Sequence, residues 1–407
     1  MLKYAVKVFA LDKHWAKTRD SRSAPRIPAP VFPMLWFVMF AARLPSFNAL
    51  RQLRRSKGLN RWLGTRKLPS AKELAIVSES ADPGVLRDIL GSVMHRLRRN
   101  KVLRARHGLM LAAIDGHETH WSYKRCHDTS LQRVLTVDGR EVVQYYTRFT
   151  VFQIIGDGFY FLLDLEPVLP GEDEPASAAR LLQRVLADYP RCFDVLTCDA
   201  IYLRPSMIRL LLDANKHLVA VLKENQPGLL DEARRLLPAQ TPERLTLPNS
   251  PGKVGREVLL RQADGFTTET IDTPLRIVHA DESATRRERI AGTTVSTPVR
   301  TQWYWATTMP ASLNPAQVVF EFSHNRWRIE NEGFNELVTR WHSRHVFHHH
   351  ANSILVLWLV LFCAHAVYHC FLRNLQPALR KAHTVIYFAT LITADLLADI
   401  WHLARPP

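Results

Sequence analysis

The sequence predicts an α/β protein: a mixed β-sheet flanked by helices, with a helical region before it and a β-rich insertion late in the chain. Three observations predict this. Short apolar runs rich in β-branched and aromatic residues begin abruptly after Gly108. From about residue 171 such runs alternate with helical patterns, and a strand meander followed by alternation of this kind builds a mixed sheet covered by helices. A stretch from 226 to 310 then carries prolines, glycines and short β-rich runs before helical character returns near Asn314.

Residues 1–30 are basic and contain prolines, and they are expected to form a loosely ordered arm. The apolar run Val31 to Ala42 is too short to cross a bilayer, which takes about 20 residues. Arg51 to Lys67 is dense in positive charge and includes Trp62. It is the better candidate for phosphate contact, with Arg54 and Arg55 at its centre; a solvated basic surface is the plainer alternative. Ser70 stands three residues before Glu73, a capping-box pattern that starts a helix. Val85, Ile89, Val93 and Leu97 then recur near helical spacing, and the arginines at that helix end also suit its dipole. Residues 1–107 are therefore read as an N-terminal basic helical region that binds DNA.

Within 108–225, Leu109 to Asp115 is a short strand ending in an acid. YYTRFTVFQII and FYFLLDLEP are joined by Gly156-Asp157-Gly158 as a hairpin. The segment 171–190 is a helix with Pro175 early and Ala179, Leu182, Val185 and Leu186 on its apolar face. Phe193 to Asp199 is a strand, PSMIRLLLDAN a helix and HLVAVLKEN a strand. Residues 226–310 are read as an inserted β-rich segment, 311–380 as helical and 381–407 as a tail. There are no obvious repeats or low-complexity tracts.

The chain has 407 residues, an apolar fraction of 47%, a formal net charge of +16 and a pI near 9.9. That is enough for a sizeable core, and the excess charge points to a large anionic partner, nucleic acid first. The five cysteines form no paired framework and read as reduced thiols, in keeping with a cytoplasmic, nucleoid-associated protein. The N-terminus is a poor signal peptide. Ala351 to Phe371 is apolar and long enough to span a membrane, but Asn352, His365 and His369 favour a buried core helix over an anchor.

Three acids fall where chemistry is expected. Asp115 ends the first strand of the meander, Asp199 ends the first strand after the helix, and Glu330 lies in the helix after the insertion. The first and fourth strands should lie side by side, so both aspartates would project at one edge, where a crossing helix can bring in Glu330. Converging carboxylates repel and are costly to desolvate. They make sense around divalent cations, because Mg²⁺ prefers oxygen ligands and a pair of ions can assist an in-line displacement at phosphate.

The segment HNRWRIENEGFNEL, residues 324–337, resembles the C-terminal signature of bacterial insertion-sequence DDE transposases of the IS-four-like superfamily. In that signature a Tyr precedes Arg by three positions, the Arg precedes the catalytic Glu by four, and a Lys follows the Glu by seven. Arg326, Trp327, Ile329 and Glu330 fit; Ser323 replaces the Tyr and Leu337 the Lys. Arg340, one helical turn further on, is a candidate for the missing charge. AIDGHETHWS resembles the first-Asp motif, TCDAIYLRPSMIRLL the second with Tyr202 beside Asp199, and VLKENQ the string that supplies Lys223 and Asn225. The resemblance covers about residues 45–380. It implies an RNase-H-like catalytic core. Asp115, Asp199 and Glu330 would be its catalytic residues and its ligands for two Mg²⁺ or Mn²⁺ ions. It also implies cleavage at transposon ends with strand transfer into target DNA, and a homodimer when both ends are synapsed. Arg326, Trp327, Tyr202, Lys223, Arg340, Arg54 and Arg55 are the expected DNA contacts. The two departures motivate an alternative, a repurposed transposase that binds DNA without cutting it; a membrane-anchored protein is the remaining one.

Other clusters have plainer explanations. His117, His120, Cys126 and His127 are irregularly spaced for zinc, and His342, His345, His348, His349 and His350 suit a partly charged face. Glu172, Asp173 and Glu174 precede a helix, whose dipole accounts for them. Asp164 and Glu166 are explained by surface alternation as readily as by a supporting role at the acids.

Overall fold

The structure is a computed structural model, and it describes residues 1–19, 22–250, 253–290 and 293–401. The chain opens with six helices: α1 (Leu2–Phe9), α2 (Leu11–Trp15), α3 (Val31–Ala41), α4 (Lys57–Leu63), α5 (Ala71–Ser80) and α6 (Pro83–Arg99). The expected loose arm is thus partly helical. Ala5, Phe9, Leu11 and Trp15 are buried, and the Trp15 ring meets Phe37 at 5.2 Å and Trp62 at 6.1 Å. Apolar residues at helical spacing outweigh the local basic charge there. The capping box at α5 forms in both directions, with Glu73 N donating to Ser70 Oγ and Ser70 N donating to Glu73.

Next come β1 (Leu111–Ser122), β2 (Leu131–Val137), β3 (Arg140–Gly156), β4 (Phe159–Pro167), α7 (Glu174–Asp188), β5 (Val195–Cys198), α8 (Pro205–Asp213) and β6 (His217–Val221). The sequence reading missed β2, whose residues are mostly exposed and carry no burial signal. On α7 the buried face is Ala178, Leu181, Leu182 and Val185; Ala179 and Leu186 lie at its margin. The order of the ten-stranded sheet is β2-β3-β1-β5-β6 and onward, with β4 also on β3. Strands β1, β5 and β6 run parallel to one another, and β3 and β4 are antiparallel neighbours. Parallel strands need crossovers, which α7 and α8 supply. Both β5 and the core of β6 are buried without alternation, as strands covered on both faces should be.

The segment 226–310 begins with α9 (Pro227–Leu236), so it is not β-rich throughout. Its strands β7 (Glu243–Leu247), β8 (Lys253–Phe266), β9 (Leu275–Ile290) and β10 (Thr293–Thr307) do not stand apart from the core sheet. β10 pairs with β6 from Trp305↔Val221 to Thr307↔Val219, continuing the central sheet. The mixed α/β sheet flanked by helices is therefore as expected, but the insertion widens that sheet.

The chain then returns to helix: α10 (Ala316–Asn325), a π-helical segment Ile329–Phe334, α11 (Asn335–Arg340), α12 (Ala351–Arg373), α13 (Pro377–Ala382) and α14 (Val385–Trp401). The expected tail is mostly helical, with Phe388, Ala389 and Leu396 buried; residues 402–407 lie outside the described residues. α12 is long and apolar enough to cross a membrane, yet it packs against α3, α5, α6 and β4 and is largely buried. Its Asn352 donates to the carbonyls of Glu79 and Ala81 at the end of α5, so the polar residue seen in the sequence caps a neighbouring helix. Asp164 is buried rather than alternating at a surface. It pairs with Arg87 of α6 and Arg184 of α7, and Glu166 pairs with Arg180 and Arg184. These ions tie α6 and α7 to β4.

Candidate active site

β1 does not end at Asp115 but runs on to Ser122 against β3. What ends is the parallel ladder with β5, whose last pair is Ala113↔Thr197. Asp115 and Asp199 each lie two residues beyond that pair, at the carboxyl ends of adjacent parallel strands, where open α/β sheets place their ligands. Ile114 just before Asp115 is fully buried, whereas the Asp115 side chain is 16% exposed. The strand thus carries the carboxylate from the core to the rim.

Glu330 arrives on the π-helical segment, a form often found at functional sites. Two contacts seat that segment on the sheet. His117, on the same face of β1 as Asp115, stacks on Phe334 at 4.4 Å. Gly333 lies against Gln153 of β3, where an added Cβ would come within 2.7 Å of Gln153 Oε1.

Arg326 joins the two acids. Its Nη1 donates to Asp115 Oδ2 at 3.1 Å and to Glu330 Oε1 at 2.8 Å, from a side chain only 8% exposed. The backbone N–H of Gly116 donates to Asp115 Oδ1 at 2.9 Å. Burial pushes the Asp115 carboxyl up to about 7; Arg326 opposes the rise and Glu330 adds to it. Asp199 is held separately, by Lys223 Nζ at 2.9 Å. Burial raises its carboxyl, but Lys223, the Ala200 N–H and Arg326 outweigh that and hold it below its ordinary value. Asn225 donates to the Ala200 carbonyl at 2.8 Å and steadies the turn after Asp199, beside an open cleft of about 470 Å³ lined by Asp199, Arg204 and Lys223.

The structure thus brings Asp115 and Glu330 onto one guanidinium, with Asp199 on the neighbouring strand. The expected convergence of all three is not reached: the ligand oxygens of Asp115, Asp199 and Glu330 do not all lie within 4.8 Å of one another. Among the described residues, the group whose metal-binding atoms all fall within 4.8 Å of one another is a different one, Glu336, His365 and His369. The donor set at the sheet edge nonetheless fits a hard cation, because it is all carboxylate oxygen on an open rim.

Of the expected DNA contacts, Arg54, Arg55 and Arg340 are exposed, and Trp327 is 40% exposed beside Trp303, ring centres 5.3 Å apart. Tyr202 is a correction. It is fully buried and its hydroxyl donates to Glu174, so it cannot reach a backbone phosphate; it supports the rim from within. The two departures from the signature are also interior: Leu337 is fully buried and Ser323 Oγ donates to the Phe320 carbonyl. A Lys or Tyr would not be solvated at either place.

Glu174 is the residue the sequence reading misjudged. Asp173 does cap α7, accepting from Ala176 N, and Glu172 pairs with Arg180. Glu174 instead turns inward to Arg148 and Tyr202, directly against Gly116. Only the absence of a side chain at Gly116 admits it, and an Asp-Gly pair inside a strand was the available signal. The histidines are not all loop residues: His117 and His120 lie in β1, while in the loop after it His127 Nε2 meets Thr147 at 2.8 Å, and Cys126 Sγ meets His349 Nδ1 at 3.1 Å, a contact between the two clusters that spacing did not suggest.

No family model matches the chain, and no curated protein matches it.

Proposed function

We propose that the chain is a DDE-type DNA transposase on an RNase-H-like core, cleaving DNA at transposon ends and transferring the strand into a target. One observation carries the reading: two carboxylates, the mostly buried Asp115 and the half-exposed Glu330, share Arg326 at the carboxyl end of parallel strands, with Asp199 at the matching end of the next strand. The strand succession supports it: four antiparallel strands, a helix, β5, a helix and β6 follow one another, and β1 lies beside β5 as such a core requires.

Asp115, Asp199 and Glu330 would hold Mg²⁺ or Mn²⁺, two ions by the resemblance. Such ions supply charge stabilisation at phosphorus and lower the pKa of an attacking hydroxyl. The chain's own groups do the rest. Arg326 holds Asp115 and Glu330 on one guanidinium and Lys223 holds Asp199, and a phosphodiester entering the cleft offers both cations an alternative anion. Trp327 with Trp303 presents an aromatic face beside the acids, suited to a displaced base. Arg54 and Arg55 add phosphate contacts that fix position without reading sequence. Synapsis of two ends would require a dimer.

The test is cleavage of DNA carrying the inverted repeats that flank the gene, with Mg²⁺ or Mn²⁺. Wild type should nick at the repeat ends, and Asp115→Asn, Asp199→Asn and Glu330→Gln should each abolish nicking while leaving DNA binding. Binding without nicking by wild type would favour the repurposed, non-cutting reading. Nicking by the Asp115→Asn chain at the wild-type rate would remove the assignment.

A further inference from the structure

A second cluster of chemistry-bearing side chains lies away from the sheet-edge acids. His365 and His369 stand four residues apart on α12, so one helical face presents both rings, 4.4 Å apart. Glu336 of α11 meets them. His369 Nε2 lies 2.8 Å from Glu336 Oε1, and His365 Nε2 lies 3.8 Å from Oε2. All three offer a ligand atom within 4.8 Å of the others. The Tyr160 hydroxyl of β4 closes the group, 3.1 Å from His365 Nε2 and 3.0 Å from Glu336 Oε2, and Trp341 Nε1 donates to Glu336 Oε1 at 3.1 Å.

We propose that Glu336, His365 and His369 form a binding site for a divalent transition-metal ion of the zinc class, with Tyr160 beside the fourth position. The donor chemistry selects the ion. Two imidazole nitrogens and one carboxylate suit zinc and its neighbours and are poor for Mg²⁺, which takes oxygen. Three protein ligands leave one position open, and an open cleft of about 300 Å³ reaches both histidines and Tyr160. The ligands also come from separate pieces: α12, which is packed in the helical core, and α11, which continues the segment that carries Glu330. An ion here clasps that segment to α12 and β4. The site rests on its own residues and stands whether or not the sheet-edge acids are catalytic.

The test is Co²⁺ and Zn²⁺ titration of the untagged full chain, followed by calorimetry and by the visible Co²⁺ bands of a four-coordinate site. Wild type should bind one four-coordinate Co²⁺ that Zn²⁺ displaces, distinct from any six-coordinate ion on the sheet-edge carboxylates, and Zn²⁺ should raise its melting temperature. Glu336→Gln and His369→Gln should each weaken binding by roughly two orders of magnitude. An Asp115→Asn, Glu330→Gln chain should keep the four-coordinate Co²⁺ bands of wild type. A chain with His348, His349 and His350 changed to alanine should also keep its ion; loss there would move the ion to the histidine-rich loop and overturn the proposal. So would an absence of four-coordinate Co²⁺ bands at millimolar metal, or bands that survive both ligand substitutions. If those substitutions unfold the chain, X-ray absorption of the Zn²⁺-loaded wild type decides: two imidazoles and oxygen support the site, and any other imidazole count rejects it.

Discussion

Arg326 and Asp115 are 211 positions apart in the chain and 3.1 Å apart in the fold, and the same Arg326 nitrogen also reaches Glu330. A single guanidinium therefore bonds two acids that stand far apart in the sequence. Replacing Arg326 with Ala leaves those carboxylates facing each other, one of them mostly buried. The expected result is a loss of about 2 kcal/mol or more in divalent-free buffer, because a buried charge stripped of its partner is costly. Saturating Mg²⁺ should recover part of that loss. Urea melts with and without Mg²⁺ measure both effects, and equal loss in both buffers would show that Arg326 acts only through packing.

Asp115 makes stability and metal binding depend on pH. Its carboxyl ordinarily titrates near 3.8 and is raised to about 7 in the fold. Between those values the native state holds a proton that the unfolded chain releases, so metal-free stability falls as pH rises from about 4 through 7. Asp115→Asn should flatten that decline, making the variant relatively more stable at pH 8 than at pH 5. Affinity for Mn²⁺ should move the opposite way in wild type, tightening from pH 6 to pH 8 as the proton leaves. Thermal melts and Mn²⁺ titrations across this range check both slopes; a metal-free melting temperature of wild type that rises with pH over that interval would contradict the assignment.

Gly116 leaves room for Glu174 beside Asp115. Gly116→Ala inserts a methyl group against that carboxylate, which Tyr202 and Arg148 also hold, so it has little freedom to retreat. The expected cost is about 1–3 kcal/mol from overpacking, with loss of DNA cleavage. Restored stability and cleavage in a Gly116→Ala, Glu174→Ala double variant would show that the clash is with Glu174.

Lys223 and Asp199 form an exposed pair, so their contact adds little to stability. Lys223→Gln should change the unfolding free energy by less than about 1 kcal/mol. It should nonetheless reduce cleavage by a factor measurable in single-turnover assays, because it removes a cation from the cleft. An unfolded or fully active Lys223→Gln chain would each contradict that division.

Arg54 and Arg55 are exposed between helices of the N-terminal region. Changing either to Ala should weaken DNA binding about equally for specific and random sequences and lower the salt-dependence slope by about 1. Filter binding across a salt series measures that slope, and an unchanged slope would place DNA elsewhere on the surface.

Much of the α/β core was legible because its signals are local. The buried runs of β5 and β6, the Gly156-Asp157-Gly158 turn and the Ser70–Glu73 cap each depend on neighbours within a few residues. The edge strand β2 escaped notice because no burial marks it, and α1 and α2 because the basic charge of residues 1–30 masked their apolar spacing. Tyr202 was misplaced for a related reason: a motif gives a residue's position along the chain, but not the side of the rim it occupies.

The sequence by itself determined most of the core strands and helices, and that Asp199 closes a strand while Glu330 lies in a helical segment, since periodicity and charge are properties of adjacent residues. Only the tertiary structure decided that Arg326 links Asp115 to Glu330, that Glu174 enters through the space at Gly116, and that Glu336 meets His365 and His369. These contacts join residues far apart in the chain. They exist because packing of the sheet and helices fixes distances that no local pattern encodes.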